Sequence, residues 1–423
     1  MTREHSSTME TLAVPSRKHV AVLVAMLTMT TLLSQFWRTA LAVIAPELIR
    51  DLDLSPRMLG LASGGFFASL MVAQVGVGVA FDRIGARRTV GYLSIFMVVG
   101  ATLHAVAQTG PIFVLARVIT GLGCAASFMS ALILISTWLP QARWAQGLSW
   151  VFGLSQIGIL LAGAPLAFVS EAVGWRMAFA GMAIVSAVAH VAFFIFIRDA
   201  PPGVVRLEGD VGPSPGAIEG VRQILVLPGI IPVFALFGVA YASVVTISGL
   251  WAGPYLKDIH GLGAAERGTV LTVMALLQMI FVFVYGPLDR VFNTRKWIVM
   301  TGALITWFLM VGLALVPNPP LMLALAFFFG LSMATNYNPV LLAHMRSHFP
   351  NHLAGRGATT GNVAQLLGSA ALPVLTGFIP PLFGPTSGGY AAEAYQMMFA
   401  TLALALGLGI AVYSRSNDIK PRP

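Results

Sequence analysis

Arg38 is the residue whose type and position suggest the most specific chemistry, because it lies inside a long apolar segment. A charge at the bilayer centre costs roughly 2.5 to 3.5 kcal/mol on insertion scales, so such residues usually face a wet cavity or a partner. Thr31, Gln35 and Arg38 follow an i, i+4, i+7 spacing with Ser34 alongside, which predicts one polar stripe on a helix. We expect this stripe to face a central cavity. The alternative is that Arg38 snorkels to the membrane interface.

The acidic residues indicate what Arg38 could bind. Each of the 16 Asp and Glu residues falls in a tail, a loop or the end of an apolar segment, with Glu47 and Glu171 nearest to the membrane. Arg38 therefore has no obvious buried carboxylate partner. A free guanidinium can hold a carboxylate or phosphate group through two parallel hydrogen bonds, so the pattern favours an anionic ligand.

Other polar side chains inside apolar segments are candidates for the same cavity, although each could instead form a hydrogen bond between helices. They are Gln156, Tyr241, Trp251, Gln278, Asn336, Asn338, Asn362 and Gln365. No Ser-His-Asp set, metal-ligand cluster or nucleotide-binding loop is recognisable in the sequence. We therefore expect no enzyme activity, no metal and no cofactor.

The elements that carry these residues must be membrane helices. Of 423 residues, 57% are hydrophobic and 10% are charged, and long apolar runs recur near the ~20 residues that cross a bilayer. The sequence thus predicts an all-α membrane protein with two pseudo-symmetric six-helix bundles. The expected spans are 20–45, 58–80, 89–106, 112–139, 147–170, 177–197, 230–256, 268–288, 297–316, 321–345, 357–382 and 390–412.

Lys and Arg predict the orientation. Most of these 25 residues fall on the side of the predicted termini, and the opposite side holds only Arg50, Arg57, Arg176, Lys257 and Arg267. The positive-inside rule therefore places both termini in the cytoplasm of a bacterial-type inner membrane. The net charge of +9 follows from this topology, so we expect a lipid bilayer and a small solute as partners, no nucleic acid, and a monomer.

An internal repeat divides the chain. A polar linker at 198–227 separates the bundles at 20–197 and 228–413, with tails at 1–19 and 414–423. The loop after the second span and the loop after the eighth carry similar chemistry. The first contains Gly78, Asp82, Arg83, Gly85, Arg87 and Arg88, and the second contains Gly286, Asp289, Arg290, Arg295 and Lys296.

These loops give a specific resemblance. Gly78-x3-Asp82-Arg83-x-Gly85-x-Arg87-Arg88 resembles the cytoplasmic signature of the major facilitator superfamily, and the second loop looks like a degenerate copy without the middle glycine. Arg117-x3-Gly121-x-Gly123 resembles the family's second motif, and Gly174-Trp175-Arg176-x2-Phe179 resembles a common periplasmic turn. The resemblance covers nearly the whole chain and implies two six-helix halves that move a solute by alternating access.

The resemblance also implies roles for the loop residues. Asp82 would face the start of the eleventh span near Arg356, and Asp289 would face the start of the fifth span near Gly147. Such contacts would hold the cytoplasmic side shut and break when it opens. In this family the arginine that matches Arg117 is buried beside the cavity and is proposed to link proton movement to conformation; a structural role is the alternative.

Residues 38–47 further resemble the organic-anion branch of the superfamily, the anion:cation symporters. That branch often has an aspartate before the arginine, whereas Trp37 stands here, which puts proton coupling through this helix in doubt. We therefore expect secondary transport of a small organic anion, by proton coupling or by exchange. Efflux of drugs or metabolites by the same fold is the alternative.

Overall fold

The computed structural model describes residues 17–140, 143–200, 222–350, 353–384 and 389–421, without the side chains of Val75, Ala145, Ala354, Gly355 and Arg356. Most of the predicted N-terminal tail and linker lies outside these residues. Within them the chain forms twelve membrane helices in two bundles of six, which confirms the predicted fold class. Eleven segments are long and apolar enough to cross a membrane, and residues 56–84 supply the twelfth.

The first half contains α1 to α6. Helix α1 comprises Arg17–Thr39 and Leu41–Leu52, while α2 (56–84) and α3 (86–106) are the two parts of Pro56–Val106. Helix α4 comprises Gly110–Cys124 and Ser127–Trp138. Helix α5 comprises Trp144–Ser155, Ile157–Leu161 and Ala164–Val173, and α6 is Trp175–Phe196.

The second half contains α7 to α12. Helix α7 runs over Ile230–Thr246, Ile247–Trp251 and Ala252–His260, and α8 is Ala264–Tyr285, followed by the short turn Leu288–Val291. Helix α9 is Lys296–Leu315. Helix α10 comprises Leu321–Ala334, Thr335–Tyr337 and Asn338–Ser347, α11 is Ala354–Gly377, and α12 is Ala392–Tyr413.

Gly85 turns the chain between α2 and α3. Its φ of 83° is a left-handed conformation that glycine adopts without the steric cost of a Cβ. A Cβ here would also collide with the carboxylate of Asp199, which accepts a 2.8 Å hydrogen bond from the Arg87 backbone N–H. The Arg87 side chain donates to the Phe194 carbonyl and lies over the Phe194 ring. The contacts that require a glycine at this position of the loop motif therefore lie within the first half.

Several cavity-facing helices are interrupted. Helix α5 breaks at Gln156, α7 contains a π-helical turn at Ile247–Trp251, and α10 contains a 3₁₀ turn at Thr335–Tyr337. Irregular backbone at membrane depth is tolerated where it lies inside the protein or lines a cavity. The interruptions therefore mark where the two halves surround a polar space.

The two halves pack closely at the end of the bundle opposite the chain termini, here called the opposite end; the end that holds the chain termini is called the terminal end. A Cβ on Gly60 of α2 would collide with the Pro373 carbonyl of α11, and one on Gly253 of α7 would collide with the Ala42 carbonyl of α1. Small residues thus allow the helix backbones to approach closely. Glu171 of α5 also accepts a 2.9 Å hydrogen bond from the Ala265 N–H at the start of α8.

Candidate functional site

A cavity of about 240 Å³, here called the central cavity, lies between the halves. Its walls come from α1 and α5 of the first half and from α7, α8 and α10 of the second. The aliphatic part of the wall includes Leu271, Met274 and Val282. The polar side chains in the wall are Gln35, Thr39, Gln156, Tyr241, Ser248, Gln278, Thr335, Asn336 and Asn338.

The amides of this cavity differ in how much hydrogen-bonding capacity they keep. The side-chain nitrogen of Gln35 donates a hydrogen bond to the side-chain oxygen of Gln156 at 2.8 Å, and this bond joins α1 to α5. Asn336 and Asn338 use their N–H groups on carbonyls of their own helix, at 2.7 Å to Ser332 and 3.1 Å to Thr335. The side-chain oxygen of Asn338 is buried and has no partner among the described residues. The cavity therefore offers several neutral donors and acceptors to a solute.

Six of the residues that the sequence suggested for solute binding lie in this wall: Gln35, Gln156, Tyr241, Gln278, Asn336 and Asn338. Sequence reasoning missed Thr39, Ser248 and Thr335. Thr39 follows Gln35 by four residues on α1, so the helical period could have found it. Ser248 follows Tyr241 by seven residues, so the same period could have found it although it lies in the π-helical turn, and Thr335 lies in the 3₁₀ turn before Asn338.

Four other suggested residues lie outside the wall of the central cavity. Thr31 donates its hydroxyl proton to the Leu27 carbonyl one turn earlier, and the Trp251 indole donates to the Thr376 hydroxyl of α11 at 2.8 Å. Asn362 donates to the Gln74 side-chain oxygen at 2.7 Å, which joins α11 to α2. Gln365 is half-buried one turn further along α11. These contacts fit the alternative of hydrogen bonding between or within helices.

Arg38 lies one turn beyond Gln35 but does not form part of the central cavity wall. The side chain is half-buried, and its Nε is buried without a hydrogen-bond partner among the described residues. An ion pair of Arg38 with a carboxylate is absent from the described part of the chain, as the sequence suggested. The guanidinium therefore keeps donor capacity beside the cavity.

Arg117 has partners of its own. The residue is 2% exposed, and its guanidinium donates to the carbonyls of Trp37 in α1 and Ala62 in α2. The charged group also lies 4.5 Å from the centre of the Phe66 ring. Arg117 thus joins three helices of the first half through backbone carbonyls and a ring.

The loop motif after α2 faces water. Asp82, Arg83 and Arg88 are exposed, and Asp82 forms no hydrogen bond or ion pair with the described residues. The Arg356 side chain, its suggested neighbour, lies outside the described atoms. No heavy atom lies within 4 Å of the place where a Cβ on Gly78 would stand, so close backbone approach at this glycine is not part of this conformation.

The copy of the motif after α8 is arranged differently. Asp289 is 8% exposed and accepts a hydrogen bond from Arg295 six residues later, with 3.3 Å between Oδ2 and Nε. Asp289 and Arg295 therefore pair within the loop of the second half. A position of Asp289 near Gly147 stays a prediction for another conformation. Arg290 is exposed.

Two residues that the sequence placed at span ends join the halves. Arg267 at the start of α8 is 2% exposed and donates to the Glu47 carboxylate of α1 and to the Leu262 carbonyl. This ion pair, the close glycine contacts and the Glu171 hydrogen bond all lie at the opposite end. The halves are therefore joined at the opposite end, and the Asn362–Gln74 hydrogen bond joins them nearer the terminal end, whereas Asp82 forms no hydrogen bond or ion pair with the described part of the second half.

Comparison with known proteins agrees with this architecture. Residues 27–373 and 244–423 each match the model of the Major Facilitator Superfamily. The chain belongs to that superfamily. Its members are transporters rather than enzymes, and the chain is accordingly a multi-pass membrane protein.

Individual relatives are distant. A hexuronate transporter of Bacillus subtilis (strain 168) is 24% identical over 385 residues, covering 87% of this chain and 89% of the relative. A probable sulfoacetate transporter, SauU, of Cupriavidus necator is 24% identical over 400 residues, with 88% of each chain covered. The multidrug resistance protein MdtL of Shigella flexneri serotype 5b is 24% identical, covering 77% of this chain and 80% of the relative.

Among solved structures, an inward-facing, occupied bacterial homologue of the human lysosomal transporter Spinster superposes with a TM-score of 0.78. The identity is 17%, and the alignment covers 95% of this chain and 98% of the other. At this identity the likeness shows the shared fold alone.

Proposed function

We propose that this superfamily member is a secondary transporter that moves a small organic anion across a bacterial-type inner membrane. The observation that carries the proposal is the Nε of Arg38, which is buried without a hydrogen-bond partner among the described residues and lies beside the amide-lined central cavity. A guanidinium with free donors binds carboxylate or sulfonate oxygens through charge-assisted hydrogen bonds. The names of two relatives, a hexuronate transporter and a probable sulfoacetate transporter, support an organic anion as the substrate class.

The proposed route is alternating access. In this conformation the opposite end is closed by the Glu47–Arg267 ion pair, and Asp82 at the terminal end is exposed. In the other conformation Asp82 meets the start of α11 near Arg356, where the positive end of the helix dipole favours a carboxylate. The positive-inside pattern makes the terminal end cytoplasmic.

Coupling is proposed to run through Arg117. Its donors hold the carbonyls of Trp37 and Ala62, which lie on the two helices that carry Arg38 and Asp82. A change at the anion site can therefore reach the loop motif through one buried side chain. Trp37 stands where related sequences often carry an aspartate, so the proposal includes anion exchange as well as proton coupling.

Substitution of Arg38 tests the substrate class. Purified wild type is screened for thermal stabilisation by hexuronates, sulfoacetate, dicarboxylates, neutral sugars and a lipophilic cation, because a ligand of the native state raises Tm by mass action. Arg38→Gln should abolish the stabilisation by the best anion, since each lost charge-assisted bond is worth ~1.5 to 3 kcal/mol. Arg38→Lys should retain it partly. Arg415→Gln, an exposed arginine on the terminal tail, serves as the matched control.

Efflux of an apolar drug is the second candidate. The aliphatic wall formed by Leu271, Met274 and Val282 and the likeness to MdtL favour it. Stabilisation by the lipophilic cation alone, unchanged in Arg38→Gln, would support efflux and contradict the anion proposal.

A further inference from the structure

A second, larger cavity of about 970 Å³ opens beside α1 at the terminal end, and we call it the outer cavity. One face of α1 lines this cavity, with Val20, Val24, Thr28 and Leu32 at helical spacing. The ends of α4 and the first turns of α5 form the remaining walls. This face of α1 carries no acidic side chain.

The outer cavity ends where the central cavity begins. Leu32 of α1 and Leu154 of α5 line the outer cavity, and Gln35 and Gln156, the next lining residues on the same helices, line the central one. The 2.8 Å hydrogen bond between Gln35 and Gln156 therefore crosses the boundary between the two spaces. A solute that passed from one to the other along α1 would have to displace this bond.

The chemistry of the outer cavity differs from that of the central cavity. Arg17 and Arg143 line it at the terminal end and are exposed to water there, while Asp and Glu are absent from its described lining. Trp138, which is 5% exposed, lies at the terminal end of α4, and Trp150, two turns into α5, provides exposed aromatic surface. Deeper in, the Thr28 hydroxyl is buried without a partner among the described residues. The Trp138 indole is fixed by a 3.1 Å hydrogen bond to the Arg198 carbonyl. Two cations thus stand over apolar and aromatic walls.

We propose that the outer cavity is a second binding site, which takes a soluble organic anion with an aromatic body. The anionic group lies between Arg17 and Arg143, and the body packs on Trp150 and the α1 face. The lining of the outer cavity at Leu32 and Leu154 lies next to Gln35 and Gln156 of the central cavity, which favours a solute over a resident lipid. This second site goes beyond the proposed function, because binding of the anion in the outer cavity does not depend on transport past Arg38.

The test is direct binding to the full-length protein in nanodiscs of phosphatidylcholine. Equilibrium dialysis with naphthalene-2-carboxylate, corrected with empty nanodiscs, measures Kd. Naphthalene-2-carboxamide keeps the aromatic body without the charge, and acetate keeps the charge without the body. We expect the carboxylate to bind and both analogues to bind at least about fivefold more weakly, since each lacks one of the two contributions.

Variants locate the ligand. The double variant R17Q/R143Q should weaken binding about tenfold or more, and W150A about threefold or more, because they remove the charges and the aromatic wall respectively. R415Q removes an exposed arginine from the same end and should leave Kd unchanged. R38Q removes the proposed anion-binding group of the central cavity, so binding that persists in R38Q belongs to the outer cavity.

Three outcomes would overturn the proposal. Wild-type affinity in R17Q/R143Q would show that the two arginines hold no anion. Loss of binding in R38Q alone would place the aromatic acid in the central cavity, which would support the proposed function while removing the second site. Loss of naphthalene-2-carboxylate binding when phosphatidylglycerol is added to the nanodiscs would identify an anionic lipid as the occupant.

Discussion

Glu47 of α1 and Arg267 of α8 form an ion pair between the two halves, with 2.5 Å between the Glu47 Oε1 and a terminal nitrogen of Arg267. The Arg267 side chain is 3% exposed and the Glu47 side chain 20%. Arg267 also donates to the carbonyls of Leu262 and Val43, so its charge is held at the junction of the halves. The pair therefore closes the end of the bundle that lies opposite the termini.

Removing one partner of this pair should be more harmful than removing both. Glu47→Gln leaves the Arg267 charge buried without compensation, a change that typically costs ~3 to 5 kcal/mol. Glu47→Gln/Arg267→Gln removes both charges and should recover part of the loss of Tm measured in detergent. A double variant whose loss of stability equals or exceeds the sum of the two single losses would contradict a direct coupling between these residues.

The same change should alter which end is accessible. Ala42→Cys places a thiol on the α1 turn whose backbone meets Gly253 of α7, and Cys124 is the only native cysteine and is buried. In the Glu47→Gln background, a membrane-impermeant maleimide added from the opposite side should label the introduced thiol faster than in the wild-type background. Equal labelling rates would show that the ion pair does not hold this end closed.

Asp82→Asn should abolish most transport while leaving expression and ligand binding largely intact. The carboxylate is exposed here, so its loss costs this conformation little, whereas the conformation that we propose to be closed at the terminal end would lose the proposed contact with the α11 dipole. Uptake into proteoliposomes and thermal stabilisation by the same anion measure the two effects separately. An equal loss of transport and of ligand binding would count against a gating role. Arg83→Gln tests whether the neighbouring charge affects transport independently of Asp82.

Asp418 gives a prediction about pH. Partial burial raises the pKa of this carboxyl, but hydrogen bonds from Thr294 and from the backbone of Lys296 and Arg295 lower it more, so its pKa lies below the ordinary value. The carboxylate therefore stabilises the start of α9 above the ordinary aspartate pKa of ~3.9, and this contribution is lost as the pH falls through the folded-state pKa.

Asp418→Ala should accordingly lower the stability by about 1 kcal/mol at pH 7, the usual magnitude for a helix N-cap. The difference in Tm from wild type should shrink as the pH falls below ~3.9. Arg415→Ala in the same tail is exposed and should show neither effect. A Tm difference that stays constant across this range would mean that the carboxylate charge is not what caps α9.

The orientation is testable with reporters. A reporter enzyme that is active only in the cytoplasm should be active when fused after Pro423 or inserted near Gly212, because most Lys and Arg residues lie on that side. A second reporter, active only in the periplasm, should be inactive at both positions and active in the α5–α6 loop at Gly174. Periplasmic activity at Pro423 would reverse the orientation.

The sequence alone determined the number of membrane helices, their approximate ends and the two-half organisation. In a bilayer, an apolar segment of about twenty residues can satisfy its backbone hydrogen bonds within itself only as a helix. Hydropathy therefore predicts where the helices lie without knowledge of which helices they pack against. The loop between the second and third spans was also predicted, and the structure shows that Gly85 turns the chain there with a left-handed φ of 83°.

Only the tertiary structure decided which polar side chains face the cavity and which join helices. A helical period shows that Asn362 and Gln365 share a face, but not that Asn362 meets Gln74 across 288 residues of chain. Tyr241, Val244 and Ser248 line the central cavity at regular helical spacing, but only the packing of α7 against the other helices shows that this face, and not another, meets the cavity. Partner choice depends on the packing of distant helices, which local spacing does not encode.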